Sequence, residues 1–361
     1  MNFLKNWFKR TFSDPQVVIL ALLLILGFAI VIFMGRMLAP LLASIVIAYL
    51  LEAVVRELVR WKFPRFVAVL VVFLAFLVAL TFLLFGLIPS LSIQIAQLVQ
   101  ELPKMISRGQ QALLQLPELY PNFISEEQVN DIITRIREEL MQQGQNVLSL
   151  SLSSIPDIIT LLVYLILVPL LVFFFLKDKG PILGWISRYL PKERELVAKV
   201  WEEMDQQIGN YVRGKFLEIL IVGVVSYIVF ALMGLHYSML LGALVGISVI
   251  VPYLGATVVT IPVAMIAFFQ WGWTSEFAYL MIAYGIIQAL DGNLLVPLLF
   301  SEAVNLHPVA IIVAVLVFGG IWGVWGVFFA IPLATLVKAV LTAWPKPPDE
   351  DQTKAGSVLS S

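Results

Sequence analysis

From Ile219 to Val337 the chain carries no lysine and no arginine, and only three acids: Glu276, Asp291 and Glu302. A soluble domain holds about a quarter of its residues as charged ones. A stretch this long without a cation suits lipid, where each segment must satisfy its own backbone hydrogen bonds. The rest of the chain agrees: 60% of its 361 residues are hydrophobic and only 13% are charged. Apolar runs lie at Val17–Gly35, Met37–Leu51, Phe66–Ile88, Ile158–Leu176, Ile219–Leu235, Ser238–Gln270, Phe277–Phe300 and Pro308–Ala343. A spanning helix needs about 20 such residues. The expected fold is therefore an all-α polytopic membrane protein of about eight membrane segments. Pro40 falls in the second run, and Pro169 in the fourth is an expected kink. Lys5, Lys9 and Arg10 precede the first run, and no small-residue cleavage site follows it. This reads as a retained first span and not a cleaved signal peptide.

Several chemistries are excluded or disfavoured. A net charge of −1 gives no nucleic-acid signal, and the lack of cysteine rules out disulfides, zinc–thiolate sites, Fe–S clusters and thiol nucleophiles. No G-x-S-x-G, H-E-x-x-H or intramembrane aspartate pair supports an enzyme. Gly209-Asn210-Tyr211-Val212-Arg213-Gly214-Lys215 fits the spacing of a phosphate loop. The next residue is Phe216, however, and the context is a helix with no preceding strand, so nucleotide binding is not expected. Lys215 itself reads as a cytoplasmic-interface anchor. No cofactor and no metal site are expected.

Two polar segments interrupt the runs. Pro89–Ser154 reads as amphipathic helices broken by Pro103, Pro117 and Pro121, with a capping box at Ser125-Glu126-Glu127-Gln128. Lys177–Lys215 is charged, with a helix expected from Lys192 to Arg213. Basic residues orient the chain. Arg56, Arg60, Lys62 and Arg65 crowd one short loop, and Lys177–Lys215 holds eight basic residues. Pro89–Ser154 holds four basic residues against seven acids. Both termini and 177–215 are expected in the cytoplasm, and 89–154 outside. The resulting division is 1–88 for the N-terminal arm and three segments, 89–154 for an extracytoplasmic helical segment, 155–176 for a span, 177–215 for a cytoplasmic helical segment, 216–343 for a transport unit, and 344–361 for a disordered tail.

The C-terminal half repeats itself. Leu235-His236-Tyr237 precedes Ile261-Pro262-Val263-Ala264 by 26 residues, and Leu306-His307-Pro308 precedes Ile331-Pro332-Leu333-Ala334 by 25. Between them lie Pro252-Tyr253-Leu254-Gly255 in one copy and a glycine-rich stretch, Gly319 to Gly326, in the other. The first arms, Met239–Val251 and Pro308–Gly320, have about 13 residues each, too few to span. Short, Gly/Pro-broken segments at matching places suggest re-entrant hairpins forming an inverted repeat, and such pairs point to a transporter's binding site. Kinked full spans are the alternative. Gly255 and Gly326 are expected at tight reversals that need positive φ.

Asp291 heads the candidate site residues. A charge at bilayer depth costs about 2.5–3.5 kcal/mol, so it faces a cavity or a partner when it persists. With Asn293, and with carbonyls freed by unwinding at Gly292, it could bind a cation or titrate. Asp-Gly-Asn is equally a plain turn signal. Pro252 and Gly255 mark the first reversal. Glu302 reads as interfacial or as a second buried acid, with Pro297 bending the helix between it and Asp291. His236 and His307 could relay protons, or could cap their hairpins. The aromatics from Phe268 to Trp273 and from Trp322 to Trp325 suit interface belts more than cargo stacking.

At these residues the chain resembles the autoinducer-2 exporter (AI-2E) family, in its PerM-like branch. The resemblance is carried by Asp291-Gly292-Asn293-Leu294-Leu295-Val296-Pro297, Asn305-Leu306-His307-Pro308, Gly326-Val327-Phe328-Phe329-Ala330-Ile331-Pro332-Leu333-Ala334, Pro252-Tyr253-Leu254-Gly255, Phe175-Leu176-Lys177-Asp178 and Tyr211-x-x-Gly214-Lys215. Many members of that family carry Glu where this chain has Asp291. The resemblance implies a permease of the bacterial inner membrane that assembles as a homo-oligomer. It implies export of a small polar metabolite in some members and sodium/proton exchange in others. The expected partners are lipid, a small polar solute and H+ or Na+. A membrane scaffold that recruits proteins through its soluble helices, or a passive channel, are the competing readings.

Overall fold

The computed structural model of the chain describes residues 15–119, 158–189, 195–252, 254–300 and 306–343, together with positions 131, 134, 135 and 138. All regular elements among these residues are helical. Helix α1 runs Pro15–Arg60 and α2 runs Arg65–Phe82; a π-turn at Leu83–Leu87 joins α2 to α3, Ile88–Leu119. Then follow α4 (Ile158–Lys177), α5 (Lys179–Tyr189), α6 (Glu195–Leu232), α7 (Ser238–Ser248), α8 (Leu254–Trp271) and α9 (Ser275–Leu290). A second π-turn, Asp291–Leu295, leads into α10 (Val296–Phe300), and α11 (Pro308–Trp322), α12 (Val324–Phe328) and α13 (Ala330–Ala343) complete the order. Among the described residues five helical stretches are long and apolar enough to cross a membrane: Met37–Arg60, Arg65–Ser107, Val200–Leu232, Leu254–Trp271 and Ser275–Phe300. Shorter apolar helices, among them Ser238–Ser248 and Pro308–Trp322, accompany them. The chain is a multi-pass, all-helical membrane protein.

Three sequence expectations change. The first two apolar runs form one 46-residue helix that carries Pro40 inside it, because only Arg36 separates them and no turn residue intervenes. Pro103 and Pro117 do not break the polar segment, since α3 continues through both over 32 residues. A proline costs an interior helix about 3 kcal/mol, and flanking helix formers such as Gln100, Glu101 and Leu102 offset it. The charged segment and the run after it are likewise continuous, as α6 extends unbroken from Glu195 to Leu232. Ser125–Gln128 and Pro121 lie outside the described residues.

The helices form two compact units. The larger holds 44–177 and 213–301. One of its cores joins α1, α2 and α4 through Val55, Val69, Val72, Val172 and Leu176. Glu52, 4% exposed, is paired there with Arg65 at 3.2 Å, and Ser44 Oγ donates to the Val168 carbonyl at 3.3 Å. The second core joins α6, α7, α8 and α9 through Val222, Phe230, Leu241, Val263, Leu280 and Tyr284. Helix α3 holds the start of α7: Gln94 Oε1 accepts from the Leu240 N–H at 3.0 Å. Burial, and after it the Glu101 carboxylate, push the neighbouring Tyr237 hydroxyl up to about 12, so it stays a neutral donor.

Helices α6 and α7 touch backbone to backbone. A Cβ on Gly246 would lie 2.7 Å from the Ile219 carbonyl oxygen and 2.8 Å from the Gly223 Cα. One on Gly242 would lie 2.8 Å from the backbone of Tyr227. Small residues at four-residue spacing permit this approach between membrane helices. Gly246→Ala should therefore lower thermal stability by about 1–3 kcal/mol. Gly285→Ala, where nothing lies within 4 Å, should be neutral or slightly stabilising. Melting of the purified variants in detergent, followed by size-exclusion chromatography, compares them; equal melting would dismiss the close-packing account.

The smaller unit holds 1–43, 178–212 and 302–361. Val200, Met204 and Ala339 form its core with Leu24 and Leu336 around them. Trp322 stacks between Phe28 and Phe318, with centroids 5.7 and 5.9 Å away and rings within 9° of parallel. Tyr211 Oη donates to the Phe328 carbonyl at 2.9 Å.

Each unit contains one of the two hairpins expected from the sequence repeat. In the larger, α7 has 11 residues and α8 has 18; in the smaller, α11 has 15 residues before the turn at Gly323. These arms replace the expected 13-residue pair. Positive φ is found at Gly323 (60°), and not at Gly255 or Gly326. Those two glycines serve close approach instead. A Cβ on Gly255 would collide with the Ser248 carbonyl, 2.5 Å from its carbon, and one on Gly326 would collide in the same way with the Phe318 carbonyl, again 2.5 Å from its carbon. In both hairpins, then, a glycine near the start of the second arm lies on a carbonyl near the end of the first.

Candidate functional site

The site is built on the π-turn Asp291-Gly292-Asn293-Leu294-Leu295. Pro297 stands two residues beyond it, as Pro89 stands two residues beyond the π-turn at Leu83–Leu87. Proline removes one N–H donor and pushes its ring against the carbonyl four residues back. A widened turn relieves the clash without ending the helix, and π-turns are common at functional sites. The expected unwinding at Gly292 does not occur. Gly292 is exposed with open space around it, and the exposed Asn293 donates through Nδ2 to the Ala289 carbonyl of its own helix at 2.8 Å. Asn293 is a local cap here, with its amide turned to its own backbone.

Asp291 is 8% exposed, and its Oδ1 accepts no hydrogen bond. It shares the inward face of α9 with Tyr284 and Gln288, at i, i+4 and i+7 spacing. Facing it from α6 are two buried charges that sequence reasoning missed. Lys215 is 4% exposed and Glu218 is 2% exposed. Lys215 Nζ lies 2.6 Å from Glu218 Oε2, an ion pair without the angle of a directed hydrogen bond. The same Nζ donates to the Val249 carbonyl at 2.9 Å and sits 5.2 Å from the centroid of the Phe300 ring. Lys215, Glu218 and Asp291 feel one another's charges. The expected interface anchor is thus a buried cation. Its sequence signal was present: Lys215 and Glu218 are opposite charges at i, i+3, directly ahead of the run that opens at Ile219.

The phosphate-loop spacing has a structural explanation. Gly209–Lys215 lies inside α6, where the backbone N–H groups are committed to helix carbonyls. Gly214 is small because α10 presses on it: a Cβ there would lie 2.9 Å from the Phe300 ring and 3.1 Å from the Leu299 carbonyl oxygen.

Above the charges the seam stays polar. Thr260 Oγ1 donates to the Ala256 carbonyl at 2.7 Å and lies 3.3 Å from Tyr284 Oη. Ser226 Oγ is buried without a protein partner, and the buried Gln288 amide lies beside the Tyr284 hydroxyl. The Lys215 ammonium holds Glu218 Oε2, so the buried side-chain atoms left without a protein partner on α6 and the π-turn among the described residues are Ser226 Oγ and Asp291 Oδ1. Buried polar atoms almost always find partners, so a cluster of exceptions asks for a ligand, a proton or water.

The remaining candidates do not join this cluster. Pro252 and Gly255 flank the reversal between α7 and α8, where Gly255 N–H donates to the Val251 carbonyl at 3.0 Å. His307 belongs to the smaller unit and caps α11, its Nδ1 accepting from the Val309 N–H at 3.2 Å. The His236 backbone N–H donates to Gln270 Oε1 at 2.8 Å. Capping by His307 was one of the two roles its position suggested. Glu302 lies outside the described residues. Among the described residues no three His, Cys, Asp or Glu side chains group closely enough to hold a metal ion.

Residues 3–346 match the family described as AI-2E family transporter. The chain is 47% identical over 345 residues to PerM of Escherichia coli (strain K12), covering 96% of this chain and 98% of that one. It is 28% identical to YueF of Bacillus subtilis (strain 168), covering 86% and 84%. It is 23% identical to the AI-2 transport protein TqsA of Escherichia coli (strain K12), covering 92% and 93%.

Proposed function

This chain belongs to the AI-2E transporter family, a family of transporters and not of enzymes, and we propose that it is a secondary transporter of the bacterial cytoplasmic membrane, exporting a small polar metabolite or signal molecule in exchange for H+ or Na+. The observation that carries this reading is the buried Lys215–Glu218 pair on α6 beside Asp291, whose buried Oδ1 has no hydrogen-bond partner. Such a seam is costly in a merely structural bundle. The phosphate-loop residues inside α6 support ion coupling over nucleotide hydrolysis. TqsA, named an AI-2 transport protein, supports a small polar signal as the class of cargo.

In this reading residues 216–343 are the transport unit. The two hairpins are re-entrant and related as an inverted repeat, among about eight membrane segments. Matching glycines, Gly255 and Gly326, on matching carbonyls support the repeat. So does the 11-residue α7, about 17 Å long against a hydrocarbon core of about 30 Å. The N-terminal segments and 89–154 are scaffold or contacts of a homo-oligomer, 344–361 is a tail, and both termini are cytoplasmic. A phosphatase reporter fused at Gln115 should be active and one at Leu196 silent; the reverse would refute this orientation.

Asp291→Asn keeps size and removes charge. It should abolish gradient-driven transport in proteoliposomes, a loss of at least about tenfold, while the protein still assembles. Asp291→Glu should be milder. Unchanged transport in Asp291→Asn would reduce Asp291 to a structural residue. Native protein that moves solute only downhill would be a channel, and native protein that moves none, while binding soluble proteins, would be a scaffold.

A further inference from the structure

The three buried charges do not balance. Lys215 contributes one positive charge, and Glu218 and Asp291 contribute two negative ones. An uncompensated carboxylate out of water is too costly to persist, so one further positive charge must enter the cluster. Among the described residues the surrounding elements do not supply it, and Lys215 is the one cation that acts on Asp291. Helices α7, α8 and α10 contain no titratable residue. Tyr284 on α9 bears no cationic form, and the half-buried Arg213 on α6 is not among the charges that act on Asp291 or Glu218. A metal ion would compete with the Lys215 ammonium, which already occupies the position beside Glu218 Oε2. A proton needs no coordination shell and fits the unpartnered Asp291 Oδ1.

We propose that Lys215, Glu218 and Asp291 form a single proton-binding site, and that Lys215 couples its occupancy to the hairpin reversal at Val249–Pro252. This rests on the transporter reading above and names the ion and the lever. With the proton on an Asp291 carboxylate oxygen, Lys215 serves Glu218 alone and donates to Val249. When the proton leaves, Lys215 must serve two carboxylates, and its hydrogen bond to the Val249 carbonyl weakens. That bond, at 2.9 Å, joins the charges to the end of α7. Losing it frees the backbone reversal that Gly255 closes against Ser248.

Infrared spectroscopy of the purified protein in lipid nanodiscs reads the proton directly. The native protein should show the band of one protonated carboxyl at neutral pH, bleached at alkaline pH. Asp291→Asn should abolish the band. Glu218→Gln should abolish it too, because one carboxylate and one ammonium then balance. A private proton on Asp291 would survive Glu218→Gln, and that survival would overturn the shared site. A band that persists in Asp291→Asn, or no band in the native protein, would overturn it as well. So would bleaching by sodium at fixed pH. Ile250→Cys, on this cysteine-free background, reports the reversal. Its alkylation rate should change with pH at the same midpoint as the band, and should lose that dependence in both variants. Different midpoints would sever the coupling, and this comparison in otherwise native protein does not depend on either variant folding. None of these measurements needs transport. An intact band with inactive protein would sink the function alone, and a missing band with Asp291-dependent transport would sink this inference alone.

Discussion

Gly255→Ala should leave almost no folded protein. The added methyl would be driven into the backbone carbonyl of Ser248, and a carbonyl in the last turn of α7 cannot swing aside as a side chain can. Ordinary overpacking of a core costs about 1–3 kcal/mol, and a backbone collision belongs at or beyond the upper end. Gly326→Ala should fail in the same way against Phe318. The cause is contact, not φ, because neither glycine adopts positive φ. Alanine is therefore already fatal, and D-alanine-like permissiveness would be irrelevant. Gly323, at φ 60° and ψ −136°, lies outside the left-handed helical region, so Asn and Val should both be costly there despite the open space around it. Membrane yield and monodispersity after extraction measure all of this. Gly255→Ala and Gly326→Ala proteins that melt like the native one would mean that the two arms stand farther apart.

Lys215→Ala is the second large effect. It removes the one cation among the described residues that is buried with Glu218 and Asp291, and strips the Val249 carbonyl of its donor. Breaking a buried pair from one side costs about 3–5 kcal/mol. Lys177→Ala, at an exposed position, should stay within about 0.5 kcal/mol of native. The defect of Lys215→Ala should shrink in acidic buffer, where carboxylates protonate. Replacing the pair by Lys215→Met with Glu218→Leu should recover part of the loss. If Lys215→Ala melts no lower than Lys177→Ala, the lysine reaches water after all.

These two residues show where sequence reasoning carried and where it stopped. The apolar runs became helices because a run without charges has no other way to satisfy its backbone in lipid. Asp291 stood out because burial of a lone acid is expensive anywhere in such a run. Lys215 did not stand out. A lysine at the end of an apolar run ordinarily extends its stem and keeps its head in water. Only the arrival of Val249, Phe300 and Glu218 from distant or neighbouring turns closes the pocket over it. The glycines were legible as important but not for the right reason. Composition marks a glycine, while only the facing carbonyl tells whether it serves conformation or contact. Pro103 misled for a related reason: its local penalty is real, but it is summed with the whole of α3.

The π-turn at Asp291 also sets what the gene can gain or lose at this point. In a regular α-helix successive residues turn by about 100°, so Asp291 and Phe300, nine positions apart, would face opposite sides. Both are buried. The π-turn absorbs one residue and returns them to neighbouring faces, as an inserted residue would. Deleting Gly292, which is exposed with open space beside it, would regularise the helix and keep both side chains inward. Replacing Pro297 by alanine would let the helix tighten at full length and swing one of them out to lipid. At this position the chain should tolerate losing a residue better than losing its proline, and relatives built with a regular helix here should align with a gap of a single codon.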